Sequence, residues 1–285
     1  MADPVRKITY SLPERPDHEL PEEEPGITLL RWVKGPTGEL EQVAMPLTPE
    51  LFLHTQLEDR LSQGKRHGDT ARQIADLLDH FFQSVPDVLV TFDLRHPLGR
   101  DLPQPSPDVS VIRGVRDKDA DRDNFDVEEE GVSPCLIVEV VSPLSARIRR
   151  TDLVSKVEVY RLAGVAEYLI VDSTRHDRRF RLIGYRLDGF GRYQPIKPDD
   201  QGHFLSKTTG LWFQVSPDGE RVLLSEYPSG RPLLTRGEEV ALRKAAEERA
   251  RVEAEACRAA EERARQVEAE NARLREELDR LRGRG

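Results

Sequence analysis

One acid interrupts an otherwise apolar run, and no other residue in the chain demands so much explanation. Glu139 stands in the middle of CLIVEVV (135–141), a stretch that reads as a buried strand. A carboxylate there is costly unless a cation or several hydrogen-bond donors satisfy it. Asp108 opens a second apolar run, DVSVI (108–112), just after Ser106-Pro107. Alone it reads more readily as a plain turn acid. Together, two carboxylates on neighbouring strands make an oxygen-rich pocket suited to Mg2+, which binds through one or two carboxylates plus waters and substrate phosphate. Downstream, TDLVSKVEVYRLAG puts Asp152, Lys156 and Tyr160 at i, i+4 and i+8, on one helical face. That helix follows the Glu139 strand directly, so one of its faces must lie back against the sheet. A lysine on that face can bring its ammonium to the carboxylates; a surface Lys156 paired only with Asp152 is the plainer alternative.

The elements that must hold these residues can be read from pattern. Residues 1–26 are rich in Pro and Glu and read as a loose arm, followed by two alternating runs, ITLLRWVK (27–34) and ELEQVAM (39–45), around a GPTG turn. Thr48-Pro49-Glu50 has the composition of a helix start, and Leu53, Leu57 and Leu61 recur at i, i+4, i+8, which predicts a first helix. A second is predicted from about Asp69 to Gln83, with Ile74, Leu77, Leu78, Phe81 and Phe82 as its apolar stripe. Past Pro86 come the β-branched runs DVLVTFDL, DVSVI, CLIVEVV and EYLIVD, the last two separated by a helix from about Arg149 to Ala163. Further short strands extend to about Tyr227. Helices, a set of strands, a crossover helix and more strands make an α/β or α+β sheet domain.

In this order, PDVSV, LIVEVVSP, the D-x-x-x-K-x-x-x-Y helix and GVAEYLIVD resemble the Uma-type (Uma-two) restriction-endonuclease family, a bacterial branch of the PD-(D/E)XK nuclease superfamily. The similarity covers roughly residues 45–215, and 107–172 is its specific part. The resemblance implies a restriction-endonuclease-like mixed sheet flanked by helices and a metal-dependent endonuclease that hydrolyses DNA phosphodiesters. It implies Asp108 and Glu139 as metal ligands, the Val140 backbone carbonyl as a further one, and Mg2+ or Mn2+ as the cofactor. This chain departs from the parent pattern in one place: the Lys expected two residues after the acid is Val141, and Lys156 on the following helix takes its position. A bound divalent cation would activate water and stabilise developing charge, with Lys156 assisting. His67, in RHGDTARQI, matches a His that precedes the second helix in similar proteins; from the residues alone it reads as a cap or a surface side chain. His67, which could touch a metal-bound water or substrate, Asp152 and Tyr160 are accessory candidates. Arg147, Arg149 and Arg150, close behind Ser142-Pro143, are candidates for phosphate contacts, or simply a basic helix start. Asp172, ending EYLIVD, reads as structural. DKDADRDNFDVE (117–128) has acids spaced like a calcium loop, but Arg122 stands where the sharp turn needs Gly, so it reads as an exposed acidic loop.

Composition bounds the rest. The chain has 285 residues, 33% charged and 37% hydrophobic, with a net charge of −9, enough for one domain and an appendage. The appendage is residues 237–285, which carry no aromatic residue or proline and 12 basic residues against 13 acidic ones. The net charge therefore lies almost wholly in the body, and eight acids between Asp117 and Glu130 concentrate it in one loop. Such a body is not a generic phosphate-binding surface. In the tail, AAEERAR repeats at 245–251 and 259–265, an offset of two heptads. Positions a are then Ala250, Cys257, Ala264, Asn271 and Leu278, and positions d are Ala246, Glu253, Ala260, Val267, Leu274 and Leu281. Leu at d with one Asn at a is the pattern of a parallel two-stranded coiled coil, and so of a homodimer; a solvated single helix is the other reading. Two cysteines in unlike sequence exclude a disulfide scaffold and a Cys-based zinc site. No run of 18 apolar residues exists to span a membrane and no apolar signal segment opens the chain, which makes a cytoplasmic protein the expectation. The expected organisation is an arm with short strands over 1–46, a nuclease-like domain over 47–227, a linker over 228–236, and the coiled-coil helix over 237–285. The competing function is a catalytically inactive nuclease-fold scaffold that assembles partners through its tail.

Overall fold

The computed structural model describes residues 28–34, 39–46, 48, 51, 53, 60–61, 65–141, 151–173 and 179–282. They divide into two units, one ending at Leu233 and one beginning at Leu234. In the first, strands β1 (Thr28–Lys34) and β2 (Leu40–Pro46) pair antiparallel, as their alternation predicts. The predicted first helix is shorter than its periodicity. Leu51 and Leu53 are helical, but Arg60–Leu61 is a two-residue strand, β3, paired with Leu29 and Leu30 of β1. A ladder with buried Leu29 overrides the leucine spacing there; Leu57 lies outside the described residues.

Helix α1 (Lys65–Phe82) starts a turn earlier than its apolar stripe suggests and buries Ile74, Leu77, Leu78 and Phe82. Its sheet has six strands in sequential order: β4 (Val88–Phe92), β5 (Val109–Arg113), β6 (Pro134–Val141), β7 (Glu167–Ser173), β8 (Phe180–Leu187) and β9 (Tyr193–Pro195). Only β6 and β7 run parallel. Parallel neighbours need a crossover, and the helix between them supplies it. Between β5 and β6, a one-turn helix, α2 (Val127–Glu130), closes the acidic loop. Asp126 caps it by accepting from the Glu128 and Glu129 N–H groups, and Arg122 pairs with Glu130 at 2.8 Å. Two of the loop's acids, Asp126 and Glu130, are thus satisfied from within it.

The helix between β6 and β7 differs from the simple α-helix expected. Thr151–Ser155 form a wide π-helical turn, which leads into α3 (Lys156–Leu162). Strand periodicity decides what each helix meets. In β6, Leu136, Val138 and Val140 face α1 in one core cluster, while Ile137 and Val141 belong to a second cluster with Val159 and Tyr160 of α3. Glu139 is in phase with Ile137 and Val141, so its carboxylate emerges under α3. A three-stranded sheet, β10 (Phe204–Ser206), β11 (Leu211–Val215) and β12 (Val222–Glu226), contributes Leu211, Phe213, Val222 and Leu224 to the α1 cluster. The second unit is a single helix, α4 (Arg236–Arg282), begun by a capping box in which Thr235 and Glu238 exchange hydrogen bonds. Among the described residues no helix is long and apolar enough to cross a membrane.

Candidate active site

Two strand acids and one helix lysine meet where β5 and β6 part. Asp108 sits one residue before β5 and is 5% exposed; its Oδ2 accepts the Val140 N–H at 2.7 Å. That bond ties Asp108 to the residue beside Glu139, so the two carboxylates share one pocket. Glu139, 3% exposed, uses Oε1 to accept from Lys156 Nζ at 2.8 Å and from Tyr160 OH at 2.7 Å. Lys156 Nζ also lies 3.0 Å from Asp152 Oδ1, a buried ion pair. Lys156 is 1% exposed and held between two carboxylates. The π-turn places Asp152 on the same side as Lys156, and Tyr168 OH donates to the Asp152 carbonyl at 3.0 Å, fastening that turn to β7.

His67 corrects the sequence reading, which favoured a cap or a surface position. Because α1 begins at Lys65, His67 falls inside its first turn; the side chain is 10% exposed and its Nε2 lies 3.0 Å from Asp108 Oδ1. Since Asp108 is held ionised, Nε2–H donates to it, and the buried Nδ1 finds no partner among the described residues. Asp93 went unnoticed in the sequence. It leaves β4 in the left-handed region, at φ +49°, while its N–H donates to the Asp108 carbonyl at 3.1 Å. Such a backbone is uncommon for a residue with a Cβ, although Asp tolerates it better than most. The sequence carries no signal for it beyond an acid at a strand end. Asp172 is buried at the end of β7 opposite Val141. Arg147, Arg149 and Arg150 lie outside the described residues.

The electrostatics follow from three buried carboxylates around one ammonium. Burial pushes the Glu139 carboxyl up to about 8; Lys156 opposes the shift, and Asp108 and Asp152 reinforce it. Burial also raises Asp152 against the pull of Lys156. Asp108 moves the other way: burial opposes its charge, but His67, Lys156 and the Val140 N–H together hold it below the usual carboxylate range. Lys156 is raised, because Asp152, Glu139 and Asp108 overcome its burial. His67 is raised as well, its burial outweighed by Asp108, Glu139 and Asp152. Asp93 is exposed, yet the protein packed around it and the nearby Asp108 push its carboxyl up to about 6. Among the described residues, the pocket therefore has more carboxylate than Lys156 and His67 neutralise.

A divalent cation suits this donor set. Glu139 Oε2 receives no hydrogen bond among the described residues. The fit rests on few protein ligands, because no group of three or more His, Cys, Asp or Glu residues is arranged around a common metal position among the described residues. One or two carboxylates with waters is the ordinary protein share of a Mg2+ site.

The architecture is that of a mixed α+β protein, with a six-stranded sheet flanked by helices and a carboxylate–lysine pocket at its centre. Residues 47–217 match the model of the Uma2 family, described as "Putative restriction endonuclease". The match spans more than half of the chain, and the chain belongs to that family. Among solved structures it is similar to a "putative nuclease belonging to DUF820" from Anabaena variabilis ATCC 29413, at 16% identity over 64% of this chain and 83% of that one, with a TM-score of 0.36. No curated protein matches the chain. Membership of this family supports a nuclease function.

Proposed function

We propose that this protein is a metal-dependent endonuclease that hydrolyses phosphodiester bonds of DNA. The observation that carries the reading is Lys156: a fully buried ammonium, 17 residues downstream of Glu139, comes to 2.8 Å from that acid beside Asp108. Burying so much charge in one place is expensive for a fold and common at sites of catalysis. Asp108, Glu139 and the Val140 carbonyl would hold Mg2+ or Mn2+. Once bound, such a cation supplies an activated water and charge stabilisation for in-line attack on phosphorus. The chain's own groups do the rest. Lys156, kept charged by Asp152, presents a fixed positive charge to the phosphate oxygens as negative charge grows on them. Tyr160 fixes the rotamer of Glu139 by donating to Oε1, which leaves Oε2 to face the site. His67 orients Asp108 through Oδ1, and the Val140 N–H does so through Oδ2. Arg147, Arg149 and Arg150, which follow β6 in sequence, are proposed as phosphate contacts.

The test is cleavage of supercoiled plasmid with Mg2+ or Mn2+, comparing wild type with Glu139→Ala and Lys156→Ala. The expected result is nicking or linearisation by the wild type and loss of at least about a hundredfold in both variants, the scale of removing one charge-stabilising group from an active site. Intact DNA with the wild type overturns the proposal and favours the inactive scaffold, which the acidic body also suits. RNA assayed alongside separates a ribonuclease from a deoxyribonuclease using the same pocket.

A further inference from the structure

We propose that α4 pairs with the same helix of a second copy of this chain, parallel and in register, over residues 257–281. The inference stands apart from the nuclease reading, because it uses no residue of the carboxylate pocket. The helix is continuous for 47 residues, yet its apolar side chains are exposed among the described residues: Val267 is 60% exposed, Leu274 48% and Leu278 53%. These lie in the one heptad register that also places Cys257, Ala264 and Asn271 at a and Ala260 at d. Spacing alone identifies a seam; the charges beside it say what covers the seam. Two parallel chains in register bring the g residue of one heptad beside the e residue of the next heptad in the partner. That juxtaposes Arg263 with Glu268 and Glu270 with Arg275, both of opposite sign. The helix is therefore complementary to itself, which argues for a second copy over an unrelated partner.

Direction follows from the polar residues in the seam. In an antiparallel pair, a positions face d positions, so Asn271 meets an apolar residue in every alignment except the one that sets it against Glu253. That alignment puts Arg263 beside Arg263 and Glu261 beside Glu261 at its centre, like against like. In the parallel arrangement Asn271 faces Asn271, and the two side-chain amides satisfy each other. The same arrangement sets Glu253 against Glu253 at d, which is unfavourable. Pairing therefore ends near Cys257, and Arg236–Val252 emerge as two separate helices.

Cys257 is exposed and lies at the a position that ends the paired segment, which makes it a probe of direction. The parallel pair places two Cys257 thiols opposite each other; the competing antiparallel alignment places Cys257 opposite Val267. The experiment uses the full chain in sedimentation equilibrium and in oxidation by copper–phenanthroline, which takes one electron from each thiol. The expected results are a dimer that cross-links almost completely, no cross-link in Cys257→Ser while that variant stays dimeric, and a monomer in Leu274→Glu/Leu278→Glu with an unchanged far-ultraviolet spectrum for the body. A monomeric wild type overturns the proposal. A dimer that persists in the double variant removes α4 as the interface, and a dimer that fails to cross-link overturns the parallel direction.

Discussion

Replacing Glu139 with Gln should remove a loss of stability that the wild type suffers as pH rises. In the folded protein its carboxyl is pushed from 4.5 up to about 8 by burial, with Asp108 and Asp152 adding to the effect and Lys156 resisting it. Between those two values the folded chain holds a proton that the unfolded chain has released, so the contribution is present at low pH and is lost as pH rises through the folded value. A rise of roughly 3.5 units corresponds to about 5 kcal/mol, an upper bound for the stability the wild type loses through this group between about pH 4.5 and 8. Gln has the same shape, keeps an oxygen for Tyr160 and Lys156, and does not titrate. In metal-free buffer the variant should therefore gain on the wild type by several kcal/mol from pH 5 to 8, as read from urea midpoints at fixed slope. The change with pH is the measure, since the constant offset also contains the lost Lys156 attraction. At pH 8, Mg2+ at a hundred times its dissociation constant should return about 2.7 kcal/mol to the wild type and much less to the variant. Parallel curves for the two proteins across this range would refute the account of a carboxylate held at an energetic cost for a cation.

Two further outcomes test neighbouring parts of the structure. His67 is raised above its ordinary value, because Asp108, Glu139 and Asp152 outweigh its burial, so its ionic contribution is complete below pH 6.5 and is lost as pH rises through the folded value; the deficit of His67→Ala in urea should be largest in acid and shrink above neutrality. Glu167 is fully buried at the start of β7 and accepts from Arg186 Nε, Ser206 Oγ, the Lys207 N–H and Thr208 Oγ1; Glu167→Gln should cost roughly 2–4 kcal/mol in thermal unfolding, because a neutral amide cannot accept all four, while any metal-dependent cleavage per folded molecule stays unchanged.

Much of the pocket was legible before folding, because its geometry is largely periodic. Strand alternation puts Glu139 on the face of Ile137 and Val141, and helical spacing puts Asp152, Lys156 and Tyr160 together. A helix crossing between two parallel strands must lay one face on the sheet, and the tertiary structure sets it over the side that carries Glu139. Sequence therefore allowed Glu139 and Lys156 to meet, with a surface Lys156 as the alternative, and the 2.8 Å contact decides between them. The long tail helix was legible for the same reason, since its heptads need no tertiary partner within the chain. Periodicity misled where pairing was stronger: Leu61 follows a helical spacing but sits in a strand, because β1 offers it a ladder.

By itself, then, the sequence determined which residue types share a face, and through them the acid in the β6 run and the lysine on the helix that follows it. The tertiary structure alone decided that His67 leaves the surface to bond Asp108 and that Asp93 turns out of β4 with positive φ beside it. These contacts join residues far apart in sequence or turn on the backbone angle at a single residue. Neither leaves a repeat in the chain, and so neither can be read from spacing.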